Sequence, residues 1–523
     1  MNTTKFTFLL VISFVISSAA FAQAIPADNT ALATKELTDL KTQLSKENLQ
    51  SNGSDAKVLQ RMLDVGMWSE AYKSIMSHQN ALPEYQLLLA DYFVLNNDFK
   101  EAENIINKVL EQNSGNQKAI LTKAFLEIQA WHLSGAAAIC ENANKKNPSE
   151  KMELMLGRAR LLQKDYTSAL KIAKKILSVN PKSAGAYLLE ADVYFWNQQP
   201  DKAEAPLKKS LEIDPFNADA RFSYGYAIWR RIDATQLNAM AAQWELALAL
   251  NPLHFQTHWH WGNGHTNLTY ADYAEKNDDE VRNALMKADD EIRKNNVDGA
   301  IAITRQVEEK YPNSILPLMH RGSIYYEAFD MDRKTRLDSA GNIFETILQR
   351  KKHYGPAHNG LAAVIKSKRI PYLGTFDSIS YILNHTKITD SVNFERVFSD
   401  AAYYPGNTVN VMIWNQMYAA VVYFPFLSKQ NRNFHIPPLH IDLATAMNSS
   451  YFRFGTTFDN RQWMDIRGVG SGAAGIGYVE RGAFGERNVV LHEYVHLFHG
   501  SVLTDDENRQ IRALYYNAMK EKR

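Results

Sequence analysis

The sequence contains a single cysteine, Cys140, among its 523 residues. No disulfide can form within one chain, and a chain of this size can bury a core without such a crosslink. Positive and negative side chains almost balance, with 58 Lys and Arg against 57 Asp and Glu. The chain therefore has no overall positive charge that would indicate binding to nucleic acid or to an anionic membrane surface. The most apolar mature segment, residues 417–427, is too short for a membrane span and contains Pro425.

The N-terminal segment has the features of a secretory signal peptide. Lys5 supplies a positive charge, residues 6–14 are almost entirely apolar, and Ala-Phe-Ala at 20–22 fits a signal peptidase site. A membrane anchor is the weaker alternative, because the apolar stretch is short. We predict that residues 1–22 are removed, that Gln23 starts the mature chain, and that the protein is exported, either periplasmic or secreted.

A helical repeat follows a polar segment, residues 23–55, which we expect to be a weakly ordered lead-in. Prolines recur about every 34 residues, at Pro148, Pro181, Pro215 and Pro252. Small residues recur with the same period in two helices, at Ala90, Ala124, Gly157, Ala191 and Gly225, and at Ala102, Ala136, Ala169 and Ala203. From about residue 83 to 255 the chain resembles tetratricopeptide-repeat proteins, and weaker copies extend the region to 56–369. The resemblance implies a mainly α solenoid whose concave face binds a protein or peptide.

The pattern changes after Arg369. Short stretches rich in β-branched or aromatic residues, separated by Pro, Gly and Asn, predict strands. These stretches are residues 409–414, 439–443, 451–458 and 475–479. A glycine-rich run, residues 468–485, then leads into an apolar segment that we predict to be helical. We therefore expect residues 370–523 to form an α+β domain after the solenoid.

The motif with the most specific chemistry is His492-Glu493-Tyr494-Val495-His496. On a helix, two histidines four residues apart share one face, so both imidazoles can reach a single ion. The glutamate beside the first histidine can then address water on that ion. The alternative is an amphipathic helix that carries two histidines by chance.

This motif resembles that of the zincin metallopeptidases, in the gluzincin-like form. The resemblance implies zinc held by His492 and His496, Glu493 as the general base, and hydrolysis of peptide bonds. It also implies an upstream strand whose edge binds extended substrate. Residues 475–479 occupy that place, although an ordinary glycine-rich hairpin explains them equally well.

The third zinc ligand is left open. The metzincin pattern is excluded, because it needs glycine where His499 stands and a later histidine that the sequence lacks. The other large class takes a glutamate from a following helix, and only Glu507 and Glu521 lie downstream. Glu507 is our candidate, and the alternative is a ligand absent from this chain, with the domain incomplete at its C-terminus. We expect His499 to be a residue of the helix C-terminus, favoured there by the helix dipole, and not a ligand.

A second histidine-rich segment, residues 254–265, falls inside the repeats. The repeat register puts Gly262 on the small-residue position, and His258, Trp261 and His265 on packing positions. We therefore predict repeat core here in preference to a metal or ligand site, and an inert core position for Cys140. The predicted function is an exported zinc metallopeptidase whose repeats hold a protein partner or substrate. The alternative is a non-catalytic periplasmic repeat adaptor with an incomplete peptidase domain.

Overall fold

A computed structural model describes residues 25–78, 83–417 and 419–521. This part of the chain is mainly helical, as predicted. The predicted signal peptide lies outside the described residues. Within the described ranges, none of the helices combines the length and the hydropathy that a membrane span requires.

The first part of the chain is a series of helices, most of which pack against the next helix in the sequence. They are α1 (Thr30–Gln50), α2 (Ala56–Asp64), α3 (Trp68–His78), α4 (Pro83–Leu95), α5 (Phe99–Gln112), α6 (Gln117–Gln129), α7 (Leu133–Lys146), α8 (Glu150–Leu162), α9 (Tyr166–Val179), α10 (Ala184–Trp196), α11 (Glu204–Ile213), α12 (Ala218–Trp229), α13 (Leu237–Leu250), α14 (Phe255–Trp261), α15 (Tyr270–Tyr273), α16 (Asp278–Arg293), α17 (Val297–Lys310), α18 (Leu316–Glu327), α19 (Arg333–Arg350) and α20 (Gly355–Arg369). The first helices of neighbouring pairs also contact each other, as α6 and α8 do. This is the arrangement of a helical solenoid.

Small residues lie where the helices of a pair approach each other, which confirms the predicted repeat register. Ala90, Ala124 and Ala191 are fully buried in the first helices, and Ala203 is fully buried at the N-cap of a second helix, α11. A Cβ atom on Gly225 would lie 2.5 Å from Nε1 of Trp244. Larger side chains at these positions would force the paired helices apart.

The polar segment before the repeats is helical, and the expectation that it is weakly ordered is wrong. Ala33, Leu37 and Leu44 of α1 are buried at helical spacing and pack against the first repeat helices and α13. The stretch before α1 is held too, because Arg221 and Gln243 donate hydrogen bonds to the carbonyl of Ala27, at 3.0 and 2.7 Å. Burial of one narrow apolar stripe orders a segment whose composition is otherwise polar.

The histidine-rich segment packs inside the protein, as the repeat register predicts. His258, Trp261 and His265 are buried, and α14 packs against α20. The Nδ1 atom of His258 lies 2.9 Å from Nδ1 of His358, whose ring stacks on Trp261. Burial lowers the pKa of His258 to about 4, so the ring is neutral at pH 7.

The part after residue 369 is also mainly helical. Its elements are α21 (Phe376–His385), α22 (Ser391–Val397), α23 (Thr408–Gln416), α24 (Phe424–Lys429), α25 (Leu443–Ala446), α26 (Tyr451–Phe454), β1 (Gly468–Val469), β2 (Ala473–Ala474), α27 (Val479–Ala483), α28 (Val489–Ser501) and α29 (Asp505–Lys520). The two strands pair antiparallel, with Gly468 opposite Ala474.

All four predicted strands are wrong. Residues 409–414 lie in α23, residues 439–443 form a loop that leads into α25, and residues 451–458 begin with α26. Residues 475–479 pass through a 3-10 turn into α27. Short apolar runs do not distinguish a strand from a buried helix, and burial inside a shared core favours helices here.

One hydrophobic core joins the last repeats to the C-terminal part. Phe344 of α19 and Leu361 of α20 belong to the same buried cluster as Phe394, Phe424 and Tyr494. Polar contacts reinforce this junction, because the buried Glu480 carboxylate lies 2.7 Å from Arg333 and 3.3 Å from Arg336. The helix that carries the His492 motif is therefore anchored on the repeats.

Candidate metal centre

The His492 motif lies on α28, as predicted. The side chain of Asn488 caps this helix by accepting a hydrogen bond from the Leu491 backbone N–H at 2.8 Å. Val490 and Tyr494 are fully buried, and Leu497 is largely so. These residues recur at i, i+4 and i+7, so they turn one face of the helix to the core and leave the opposite face to solvent.

The exposed face brings three potential ligands together. Nitrogen atoms of His492 and His496 and a carboxylate oxygen of Glu493 all lie within 4.8 Å of one another. The two imidazole rings have their centroids 5.1 Å apart and stand almost perpendicular. Two imidazoles one helical turn apart are a donor set that suits zinc. The roles of these residues as ligands and base remain predictions.

The Glu493 carboxyl group lies in a partly buried place between the helix and the hairpin. Its burial raises the pKa, while charges on His492, His496 and Arg487 act in the opposite direction. A carboxylate with a raised pKa is a better proton acceptor than one that is fully hydrated. This environment suits a general base.

The β1–β2 hairpin covers one side of the motif through two glycines. A Cβ atom on Gly468 would lie 2.9 Å from Oε1 of Glu493, and one on Gly470 would lie 2.9 Å from Cβ of His496. Within the described residues β1 pairs only with β2, so its outer edge is open. The glycine-rich edge beside the motif is thus at 468–470, upstream of the predicted 475–479.

Glu507 lies outside the group formed by the motif. Its Oε2 atom accepts hydrogen bonds at 2.8 Å from both the backbone N–H and the hydroxyl of Thr504. These contacts form a capping box at the start of α29 and lower the pKa of Glu507. To bind a metal beside His492, this carboxylate would have to leave both hydrogen bonds.

The helix after the motif, α29, does not pack across the two histidines. No residue of α29 is buried, and Leu514 and Tyr515 are exposed. His499 contacts this helix instead of joining the motif, because its Nε2 atom lies 2.6 Å from Oδ1 of Asn508. Glu521 stands at the C-cap of α29, away from the motif in the sequence.

One local pattern in the sequence indicates that Glu507 caps a helix and is not a zinc ligand. Thr504 and Glu507 are separated by two residues, which is the spacing of a capping box and indicates a helix start at Asp505. The position of the hairpin had no comparable local signal, since two-residue strands in a glycine-rich run depend on contacts with α28.

Comparison with known proteins identifies the central part. Residues 160–223 match the family model of the tetratricopeptide repeat. This segment is a tetratricopeptide-repeat region. The match does not reach residues 488–507. Tetratricopeptide repeats bind protein or peptide partners in other proteins.

Solved repeat structures are similar to parts of the chain. A thermophilic tetratricopeptide-repeat protein of Thermus thermophilus is 16% identical, with 39% of this chain and 96% of that chain covered and a TM-score of 0.25. YrrB, described as a tetratricopeptide-repeat protein with an unusual peptide-binding site, is 18% identical, with 41% and 95% covered and a TM-score of 0.22. The Cut9–Hcn1 hetero-tetramer of APC/C is 13% identical, with 72% and 70% covered and a TM-score of 0.33.

Proposed function

We propose that this protein is a zinc-dependent hydrolase of peptide bonds whose repeats hold a protein partner or substrate. The observation that carries the proposal is the group formed by His492, Glu493 and His496 on the exposed face of α28. The donor chemistry fits zinc, because neutral imidazoles and carboxylates are its usual ligands. Bound zinc would supply Lewis-acid chemistry at this face.

The chain's own residues would do the rest of the work. His492 and His496 would hold the ion, and the Glu493 carboxylate would take a proton from the attacking water. The edge of β1 that faces away from β2 would pair with an extended peptide at Gly468, since within the described residues β1 has no other strand partner and Gly468 lies beside Glu493.

The repeats would bind through the face formed by their first helices. Charged side chains of both signs lie there, with Lys118 of α6 at 2.6 Å from Asp91 of α4. Arg158 of α8 lies 3.8 Å from Asp219 of α12, and both side chains are about half exposed. Such a surface favours a polar peptide segment that carries charges of both signs.

Zinc analysis and hydrolysis of fluorescent casein test the proposal. His496→Ala should lose one equivalent of zinc and the hydrolytic activity. His499→Ala is the matched control, because it removes a histidine from the same helix that does not join the group. If His496→Ala and His499→Ala retain equal zinc and equal activity, the proposed centre is refuted.

The role of the repeats has its own test. Replacement of Arg158 by alanine should raise KM for casein and leave kcat unchanged, since Arg158 is not among the residues proposed to hold zinc or to move the proton. Alanine at Lys209 and Glu212, an exposed ion pair on a second helix, is the control. An unchanged KM in the first variant would remove this face from substrate binding.

A non-catalytic repeat adaptor is the second candidate function. The engagement of Glu507 in the capping box favours it, because that carboxylate is not free to complete a zinc site. An adaptor would bind its partner without releasing new peptide termini, so hydrolysis separates the two functions.

We also propose that the protein is exported, on the basis of the N-terminal segment alone. Sequencing of the mature N-terminus should find Gln23. A mature chain that begins with Met1 would contradict export by this signal.

A further inference from the structure

A second group of potential metal ligands lies at the junction of the repeats with the C-terminal part. Asp289 is on α16, His320 is on α18, and His440 is in the segment between α24 and α25. One ligand atom from each residue lies within 4.8 Å of the others. The group shares no residue with the His492 motif.

The distances are close to those of a zinc site. Nε2 of His320 lies 3.0 Å from Oδ1 of Asp289, and Nε2 of His440 lies 3.6 Å from the same oxygen. Ligand atoms at zinc bond lengths in a tetrahedral site are separated by about 3.4 Å. The rings of His320 and His440 stack with their centroids 3.8 Å apart. Binding of an ion would move the rings apart and turn the Nε2 lone pair of each ring toward the ion.

The Nε2 atoms of both imidazoles lie near the Asp289 carboxylate but have poor hydrogen-bond geometry. His320 is 2% exposed, and neither its Nε2 atom nor that of His440 has a well-directed hydrogen bond. A buried polar atom without a partner is unfavourable, and an ion would satisfy both at once.

Neighbouring residues fix the orientation of the ligands. Nδ1 of His440 lies 2.9 Å from the hydroxyl of Ser323, which donates a hydrogen bond to Glu327 at 2.7 Å. The Tyr403 hydroxyl donates to Oδ1 of Asp289 at 3.0 Å. Outer contacts of this kind hold metal ligands in place. The side chain of Asp289 is 19% exposed, which leaves an ion a route from solvent.

We propose that Asp289, His320 and His440 form a second zinc-binding site, which clamps the C-terminal part to the repeats. The two histidines and one carboxylate come from three separate segments, so an ion shared by them would oppose separation of α16 and α18 from the His440 segment. The site is structural, since its ligands are largely buried and are distant in sequence from the His492 motif.

Zinc titration of the full chain in a background without the first centre tests this site. The variant with His492→Ala and His496→Ala, treated with EDTA, should bind one equivalent of zinc and unfold at a higher temperature when zinc is added. Adding Asp289→Asn should weaken this binding at least about tenfold and remove the zinc-dependent rise in Tm. His320→Gln is the second test variant, in case Asp289→Asn does not fold.

Glu245→Gln supplies the matched control. The Glu245 carboxylate contacts His353 at 2.6 Å, so this change removes a similar carboxylate–histidine contact elsewhere and should leave zinc binding intact. A folded background variant that binds no zinc would overturn the second site. Equal zinc affinity with and without Asp289→Asn or His320→Gln would also overturn it. Neither result bears on the first centre, which is measured by His496→Ala with Asp289 unchanged.

Discussion

Gly225→Ala should destabilise the repeats, because its new Cβ atom has no room. That atom would lie 2.5 Å from Nε1 and 2.6 Å from Cδ1 of Trp244. Trp244 is fully buried and donates a hydrogen bond to the Phe222 carbonyl at 3.1 Å, so its ring cannot move without losing packing or that bond.

Two opposing effects set the magnitude. Replacing glycine by alanine inside a helix gains up to about 1 kcal/mol. Overpacking a filled core costs about 1–3 kcal/mol, and the fixed Trp244 ring favours the upper end. We therefore expect a net loss of about 2 kcal/mol in the free energy of unfolding.

Gly341→Ala is the control for this prediction. Gly341 lies inside α19, and its added Cβ atom would meet only Cγ1 of Val364, at an ordinary 3.6 Å. This variant should gain up to about 1 kcal/mol from helix propensity. Urea unfolding followed by circular dichroism measures both variants. Equal stability of Gly225→Ala and Gly341→Ala would refute the close packing at the repeat contact.

Three further predictions follow from individual contacts. Ala203→Leu should cost about 1–3 kcal/mol by overpacking a fully buried position, and an unchanged urea midpoint would contradict the register. Glu507→Ala should lower the helix content of the chain, because it removes the cap of α29, and it should leave the bound zinc in place. Release of zinc by this variant would instead identify Glu507 as the third ligand. Burial raises the pKa of Asp465 to about 7, so the native state keeps a proton that the unfolded state loses near pH 4. Stability should therefore fall as the pH rises from about 4 to about 7, and Asp465→Asn should flatten this dependence in urea midpoints measured at pH 5 and pH 8.

Periodic and local features were predictable from the sequence. The repeat register followed from small residues such as Ala124 and Gly157, because only small side chains fit where paired helices touch. The His492 helix followed from the spacing of its apolar residues. In α23 the helical spacing was also present, since Val409, Met412, Ile413 and Gln416 are all buried. The β-branched content of that short run favoured the wrong interpretation.

Features that depend on distant contacts could not be predicted. Asp289, His320 and His440 come from separate segments, so no spacing in the sequence links them. The open edge at Gly468 depends on how a two-residue strand packs beside α28. Helix α1 was not predicted, because the composition of its segment is polar. Its order depends on burial of Leu37 and Leu44 against α2 and α13.

Glu493→Gln in the full chain tests the central claim most directly. Glutamine has nearly the same size but cannot take a proton, so the variant should keep the fold and the zinc content of the wild type. Its casein hydrolysis should fall by about 10²–10⁴, the usual contribution of a general base. Equal hydrolysis by the wild type and by Glu493→Gln, at equal zinc content, would contradict the account.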